Sequence, residues 1–172
     1  LQQYKKLCFE QKVLQHDVHQ ERAIVALERL HNSVTRMTRG RSSSQGGVRG
    51  VYLHAGVGRG KTMLMDLFYG GVAGTGTGTQ RVHYHEFMLQ VHKQLYKAGG
   101  VTDPVQKVAS DIAAKCHVLC LDELEITDVA DAFVTRALFE RLWQLGVVTV
   151  FTTNCMPAAL YKGGINRDAF LP

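Results

Sequence analysis

The octet AGVGRGKT, residues 55–62, sets Gly56, Gly58 and Gly60 ahead of Lys61 and Thr62, between the short apolar run GVYLHA and the amphipathic KTMLMDLFY. Glycines at that spacing let backbone N–H groups converge on an anion, and a following helix adds the positive end of its dipole, so the loop reads as a phosphate-binding P-loop. Lys61 is expected to reach the β- and γ-phosphates of ATP, and the Thr62 hydroxyl to ligate Mg²⁺. Val57, Arg59 and Met63 complete the stretch expected to line the phosphates, which begins at Ala55. The strict pattern has glycine at that first position, and alanine costs little there if its backbone angle is ordinary. Taken alone, the same residues would also serve as a glycine turn between a strand and a helix.

A second group of residues follows 61 positions after Lys61, where the apolar run VLCLDE ends in Asp122 and Glu123. This Walker B arrangement places two carboxylates at the carboxyl edge of a sheet, where open α/β folds bind ligands. Asp122 is expected to hold Mg²⁺, directly or through water, and Glu123 to orient and deprotonate the attacking water. A buried acid pair with neither metal nor phosphate beside it would be costly, so the pair strengthens the reading of the loop. A third strand, VVTVFTTN, finishes in Asn154, placed to bond the lytic water or the γ-phosphate; the alternative is a turn or capping asparagine before Pro157. Arg167, in the polar setting NRDAFLP, suits a finger inserted into a neighbouring subunit's nucleotide, where such residues raise hydrolysis by roughly 10³ to 10⁵. From spacing alone it also reads as an ordinary surface arginine.

These groups need a sheet to carry them, and 172 residues with 45% hydrophobic content suffice for one α/β domain with a real core. Asp17 and Gln20 make a capping-box-like start, and Ile24, Leu27, Leu30 and Val34 predict a helix over 18–34. RGRSSSQGG reads as a flexible linker, GVYLHA as a strand and KTMLMDLFY as a helix. GGVAGTGTGT, with no side chains able to build a core, reads as a surface loop. RVHYHE reads as the second strand and FMLQVHKQLYK as a helix. Asp103 and Pro104 open another helix, and HVLCLD is apolar throughout, as a buried parallel strand should be. Asp128 opens a long helix with Val129, Ala132, Phe133, Leu142 and Trp143 inward, and VVTVFTT is the fourth strand. Alternating elements of this kind predict a parallel α/β sheet.

The net charge of +5 is uneven. Residues 1–60 hold ten Lys/Arg against four Asp/Glu, and residues 61–172 hold ten against eleven. Between Glu28 and Asp66 there is no acid, while Arg36, Arg39, Arg41, Arg49 and Arg59 lie among Ser and Gly. That stretch reads as a solvated loop, with a polyanion-binding arm as the alternative. No aromatic interleaves the arginines, so base stacking has no candidate there and nucleic acid is not the expected partner. Cys8, Cys116, Cys120 and Cys155 form no C-x-x-C pair, which favours a reducing compartment. No apolar run approaches a membrane span. His83 and His85 alternate along the predicted second strand with His92 beyond, but HEFML fails the H-E-x-x-H zinc pattern at Leu89, so no metal role is expected for them.

Taken together, GVYLHAGVGRGKTMLMDLFY, RVHYHEFMLQVHKQL, LCLDELEITDVADAFVTRALFERLWQLGVVTVFTTN and LYKGGINRDAFLP resemble the ZapE and AFG-one-like ATPases, an AAA+ family with bacterial cell-division and mitochondrial members. The opening VLQHDVHQERAIVALERL resembles that family's first helix. The resemblance implies a P-loop NTPase of AAA+ type: a three-layer parallel α/β sheet with helices on both faces, strand order 5-1-4-3-2, and ATP with Mg²⁺ as cofactors. By position, Gly56, Gly58, Gly60, Lys61 and Thr62 match the phosphate loop, Asp122 and Glu123 the Walker B pair, Asn154 the sensor and Arg167 the finger. The implied organisation is an N-terminal helical segment over 1–35, a flexible basic linker over 36–49 and the ATPase core over 50–172. The sequence stops at Pro172, before the fifth strand and helical lid that the resemblance implies, so the strand GVYLH that precedes the glycine loop is expected as a sheet edge. A homo-oligomeric, hexameric ring acting on protein clients is implied, with membrane association only through partners. The implied compartment is the mitochondrion, with bacterial cytoplasm as the alternative. Two other functions share the loop: a helicase-loader-like nucleic-acid binder, and a nucleotide-dependent interaction module with little hydrolysis. Ala55, Cys155 with Met156, and the Gly/Thr stretch depart from the family pattern without removing a catalytic group.

Overall fold

The computed structural model describes residues 18–38 and 49–162. Along the chain run α1 (Val18–Thr38), β1 (Gly50–His54), α2 (Lys61–Ala73), β2 (Thr79–His83), α3 (Tyr84–Lys97), α4 (Pro104–Ala113), β3 (Val118–Asp122), α5 (Val129–Gln144) and β4 (Val148–Thr153), followed by a short 3₁₀ turn at Pro157–Ala159. The strands form one parallel sheet in the order β1-β4-β3-β2. β3 and β4 are buried at every residue, and alternate side chains serve opposite faces. Val118, Cys120, Val148 and Val150 pack with Leu27 and Leu30 of α1 and Met65 and Phe68 of α2. Leu119, Leu121 and Phe151 pack on the other face with α3, α4 and α5. This three-layer α/β arrangement explains why β3 is apolar throughout, since a parallel strand covered on both faces has no solvent side.

Helix starts follow their caps. Asp103 accepts the Gln106 N–H at 2.9 Å with Pro104 at the first helical position of α4. Asp128 accepts the Ala130 N–H at 2.6 Å at the head of α5. Asp17 lies outside the described residues, and Gln20 directs its amide to the Arg59 carbonyl at 3.1 Å, which ties α1 to the glycine loop.

Four sequence expectations are corrected. The second strand is Thr79–His83, not RVHYHE, because Tyr84, Phe87, Met88 and Val91 fall at i, i+3, i+4 and i+7 and are all buried on one helical face. His85 therefore stands in the first turn of α3, and His83 and His85 share no strand face. α2 continues through Gly70 and Gly71 to Ala73, because Leu64, Met65, Phe68 and Val72 keep helical spacing into the core and outweigh the ~1 kcal/mol that each helical glycine costs. On α5 the inward residues are Ala132, Thr135, Leu138, Phe139 and Leu142, while Val129, Phe133 and Trp143 are exposed. α1 also runs four residues past the expected end at 34, to Thr38.

Leu30 is fully buried between α1 and the sheet, whereas Val25 lies on the outer side of the same helix. Leu30→Ala is expected to lower unfolding free energy by ~2–5 kcal/mol in a urea titration, against less than ~0.5 kcal/mol for Val25→Ala.

Candidate functional site

Three strand ends and one helix start meet at the carboxyl edge of the sheet. β1 delivers Ala55, whose N–H donates to the Thr153 carbonyl at 3.3 Å, so the glycine loop leaves the sheet anchored to β4. Gly60 caps α2 with φ +77°, and a Cβ there would sit 2.8 Å from Gln20 Nε2. The left-handed backbone is what demands glycine, since the Gln20 side-chain end could move aside. Gly56, Val57, Gly58 and Arg59 are exposed, so the loop opens to solvent, and Met63 is half-buried behind it. Lys61 Nζ donates to the carbonyls of Ala55 and Gly56 and to Asn154 Oδ1, each at 2.9 Å. The end of β4 is thereby brought to the lysine of the loop, 93 residues away in sequence.

Asp122 closes β3 and is only 1% exposed. Its Oδ1 accepts the Thr62 hydroxyl at 3.2 Å and also the Thr152 hydroxyl. Its Oδ2 accepts Arg81 Nη2 at 3.1 Å. Glu123 is different: the chain turns at φ +57°, its N–H donates to Thr152 Oγ1 at 2.9 Å, and its side chain is 74% exposed with Oε2 3.6 Å from His83 Nδ1. The expectation of a buried acid pair is corrected accordingly. Asp122 alone is buried, because the left-handed turn at Glu123 directs the second carboxylate outward. Further back on β3, burial pushes the Cys120 thiol up to about 12, so it packs as a neutral side chain.

Thr152, Arg81 and His83 are the site neighbours that motif spacing does not single out. Thr152 and Arg81 stand inside strands, and only the pairing of β3 with β4 and β2 brings them to Asp122 and Glu123. Arg167 lies outside the described residues. Beside the loop, a cavity of about 660 Å³ is lined by His19 and Gln20 of α1, Tyr52 and His54 of β1, and Ala55 and Lys61. That volume lies in the range of small-molecule sites. Thr62 and Asp122 together offer a hydroxyl and a carboxylate, hard oxygen donors that suit Mg²⁺, which commonly takes one or two carboxylates and completes its shell with water and phosphate oxygens.

Comparison with known proteins places this geometry. The sequence model of the AFG1-like ATPase family matches residues 1–172. Cell division protein ZapE of Escherichia coli K12 is 45% identical over 125 residues, covering 73% of this chain and 33% of that protein. Lactation elevated protein 1 homolog B of Danio rerio is 43% identical over 135 residues, 72% of this chain and 26% of that protein. The chain thus spans about a quarter to a third of these curated relatives. Among solved structures, DnaI superposes with a TM-score of 0.62 at 20% identity, over 93% of this chain and 79% of the DnaI chain. The fold is that of the P-loop proteins of AAA+ type.

The left-handed backbone at Glu123 sets a cost that glycine would relieve. Glu123→Gly is expected to be as stable as the parent or up to ~1 kcal/mol more stable in urea denaturation; a loss above ~1 kcal/mol would show that the carboxylate itself stabilises the fold.

Proposed function

The chain belongs to the AFG1-like ATPase family, and on that premise we propose that it binds ATP with Mg²⁺ and hydrolyses it to ADP and phosphate. The observation that carries the proposal is the convergence of Lys61 and Thr62 at the start of α2, Asp122 at the end of β3 and Asn154 just past β4 on one strand-end cleft. The loop backbone from Ala55 to Gly60, with Lys61 and Met63 at the start of α2, would receive the phosphates, and the α2 dipole favours their charge. Lys61 is held by two carbonyls and an amide oxygen, all neutral acceptors. A phosphate oxygen outcompetes these, because charge-assisted hydrogen bonds are the stronger kind.

Thr62 and Asp122 would hold Mg²⁺, which when bound supplies charge neutralisation at the phosphate oxygens. Glu123, exposed and next to Asp122 at the strand end, takes the role of general base toward the attacking water. Asn154 positions that water or the γ-phosphate from the strand beside the loop strand. Arg167 is assigned as the finger toward a neighbouring subunit. The proposed assembly is a homo-oligomeric, hexameric ring that applies hydrolysis to protein clients. The named bacterial and vertebrate relatives suit a bacterial cytoplasm or a mitochondrion, and the mitochondrion is the setting proposed here.

Turnover measured across protein concentration tests both parts of this reading. Glu123→Gln is expected to keep ATP binding and lose roughly 10²- to 10⁴-fold in turnover, the usual size of a general-base contribution. Turnover per subunit is expected to rise with concentration in the parent and to stay flat and low in Arg167→Ala. Unchanged turnover in Glu123→Gln would remove Glu123 from the chemistry, and concentration-independent turnover would remove the finger acting between subunits.

A further inference from the structure

Arg81 stands where a metal-binding carboxylate would be expected to face only metal and water. It projects from β2, the strand paired with β3, and its Nη2 donates to Asp122 Oδ2 at 3.1 Å. Its Nε lies 2.7 Å from Asp66 Oδ1 on α2, one helical turn beyond Thr62. That second approach brings the charges together off the hydrogen-bond line, since the buried Nε has no hydrogen-bond partner among the described residues. One guanidinium is therefore spread over two carboxylates, one exposed and one almost fully buried.

A buried carboxylate needs compensation, and here it is complete before any metal arrives. Two hydroxyls occupy Oδ1 and a full positive charge occupies Oδ2. A divalent cation entering alone would meet Asp122 with Oδ2 already taken by the Arg81 guanidinium and with only the neutral Thr62 hydroxyl beside it to help. A nucleoside polyphosphate changes that balance. It brings several negative charges, draws Lys61 onto phosphate, and supplies the additional oxygens that Mg²⁺ prefers.

We infer that Arg81 is a positioning residue that makes metal loading at Asp122 conditional on bound nucleotide, by compensating the carboxylate until the phosphates arrive. The inference rests on the nucleotide-binding reading and adds to it the order in which the site is filled. It also accounts for the split of Arg81 between Asp66 and Asp122. Asp66 offers the guanidinium a second anchor, so Arg81 can yield Oδ2 to the incoming metal shell without being left unpaired.

Titration of Mn²⁺ into this chain, followed by the electron paramagnetic resonance signal of free Mn²⁺ with and without ADP, tests the inference without reference to turnover. The parent is expected to bind Mn²⁺ weakly alone and tightly with ADP. Arg81→Met is expected to bind Mn²⁺ alone at least about tenfold more tightly, because a full positive charge next to the site is gone, and Arg81→Lys to stay within about threefold of the parent. A folded Arg81→Met, judged by its thermal unfolding, with unchanged Mn²⁺ affinity would reduce Arg81 to a structural ion pair and overturn the inference. Should Arg81→Met fail to fold, the parent decides: Mn²⁺ bound as tightly without ADP as with it overturns the inference. Absence of any ADP binding would instead sink the nucleotide-binding reading itself.

Discussion

One carboxylate, buried at the end of the strand β3, constrains everything around it. Asp122 is held by hydroxyls from α2 and β4 and by a guanidinium from β2, so one helix and both neighbouring strands each contribute a donor. Removing one member of a buried, hydrogen-bonded charge pair typically costs ~3–5 kcal/mol, because the other charge is left uncompensated. The positions of Thr62, Thr152 and Arg81 are therefore coupled, and the sheet order β1-β4-β3-β2 is what makes the coupling geometrically possible. β3 lies between β4 and β2, so a strand-end acid on it can be reached from both sides.

The glycine loop depends on a second support, the helix α1. Four of its apolar residues, Ile24, Leu27, Leu30 and Val34, bury against α2 and the sheet, and two polar contacts fix it in register. Gln20 holds the Arg59 carbonyl, and His31 Nε2 donates to the Gly71 carbonyl at 3.3 Å. The loop is thus pinned at its Ala55 end by β4 and near Gly60 by α1, while its middle stays open to solvent. Preorganised backbone donors of this kind can meet a phosphate without first being ordered, which is where anion sites at helix starts gain their affinity.

Much of this arrangement is legible in the sequence because local chemistry and global fold agree there. The AGVGRGKT octet, the apolar β3 and the Asp103 and Asp128 caps each carry a signal within a few residues. The parts that local pattern does not reveal depend on distant packing. Tyr84 looks like a strand residue beside Val82, yet its burial with Phe87 and Met88 and its 2.7 Å hydroxyl contact with Thr135 draw it into α3. Gly70 and Gly71 suggest a loop, yet Val72 has a core position waiting one turn after Phe68. Arg81, Thr152 and His83 carry no motif of their own, because their relation to Asp122 and Glu123 exists only across paired strands. The outward turn of Glu123 is likewise a property of backbone angle, which the dipeptide Asp-Glu does not reveal.

The central claim is that Lys61 and its loop form a nucleotide-phosphate site completed by a metal at Thr62 and Asp122. Isothermal titration of ATP into the chain, with Mg²⁺ and with a chelator, tests it most directly when paired with Lys61→Met. One ATP per chain is expected, bound more tightly with Mg²⁺ than without, and binding weakened at least about tenfold in Lys61→Met, as follows from loss of a charge-assisted phosphate contact. ATP bound equally well by Lys61→Met, or bound with no response to Mg²⁺, would contradict it.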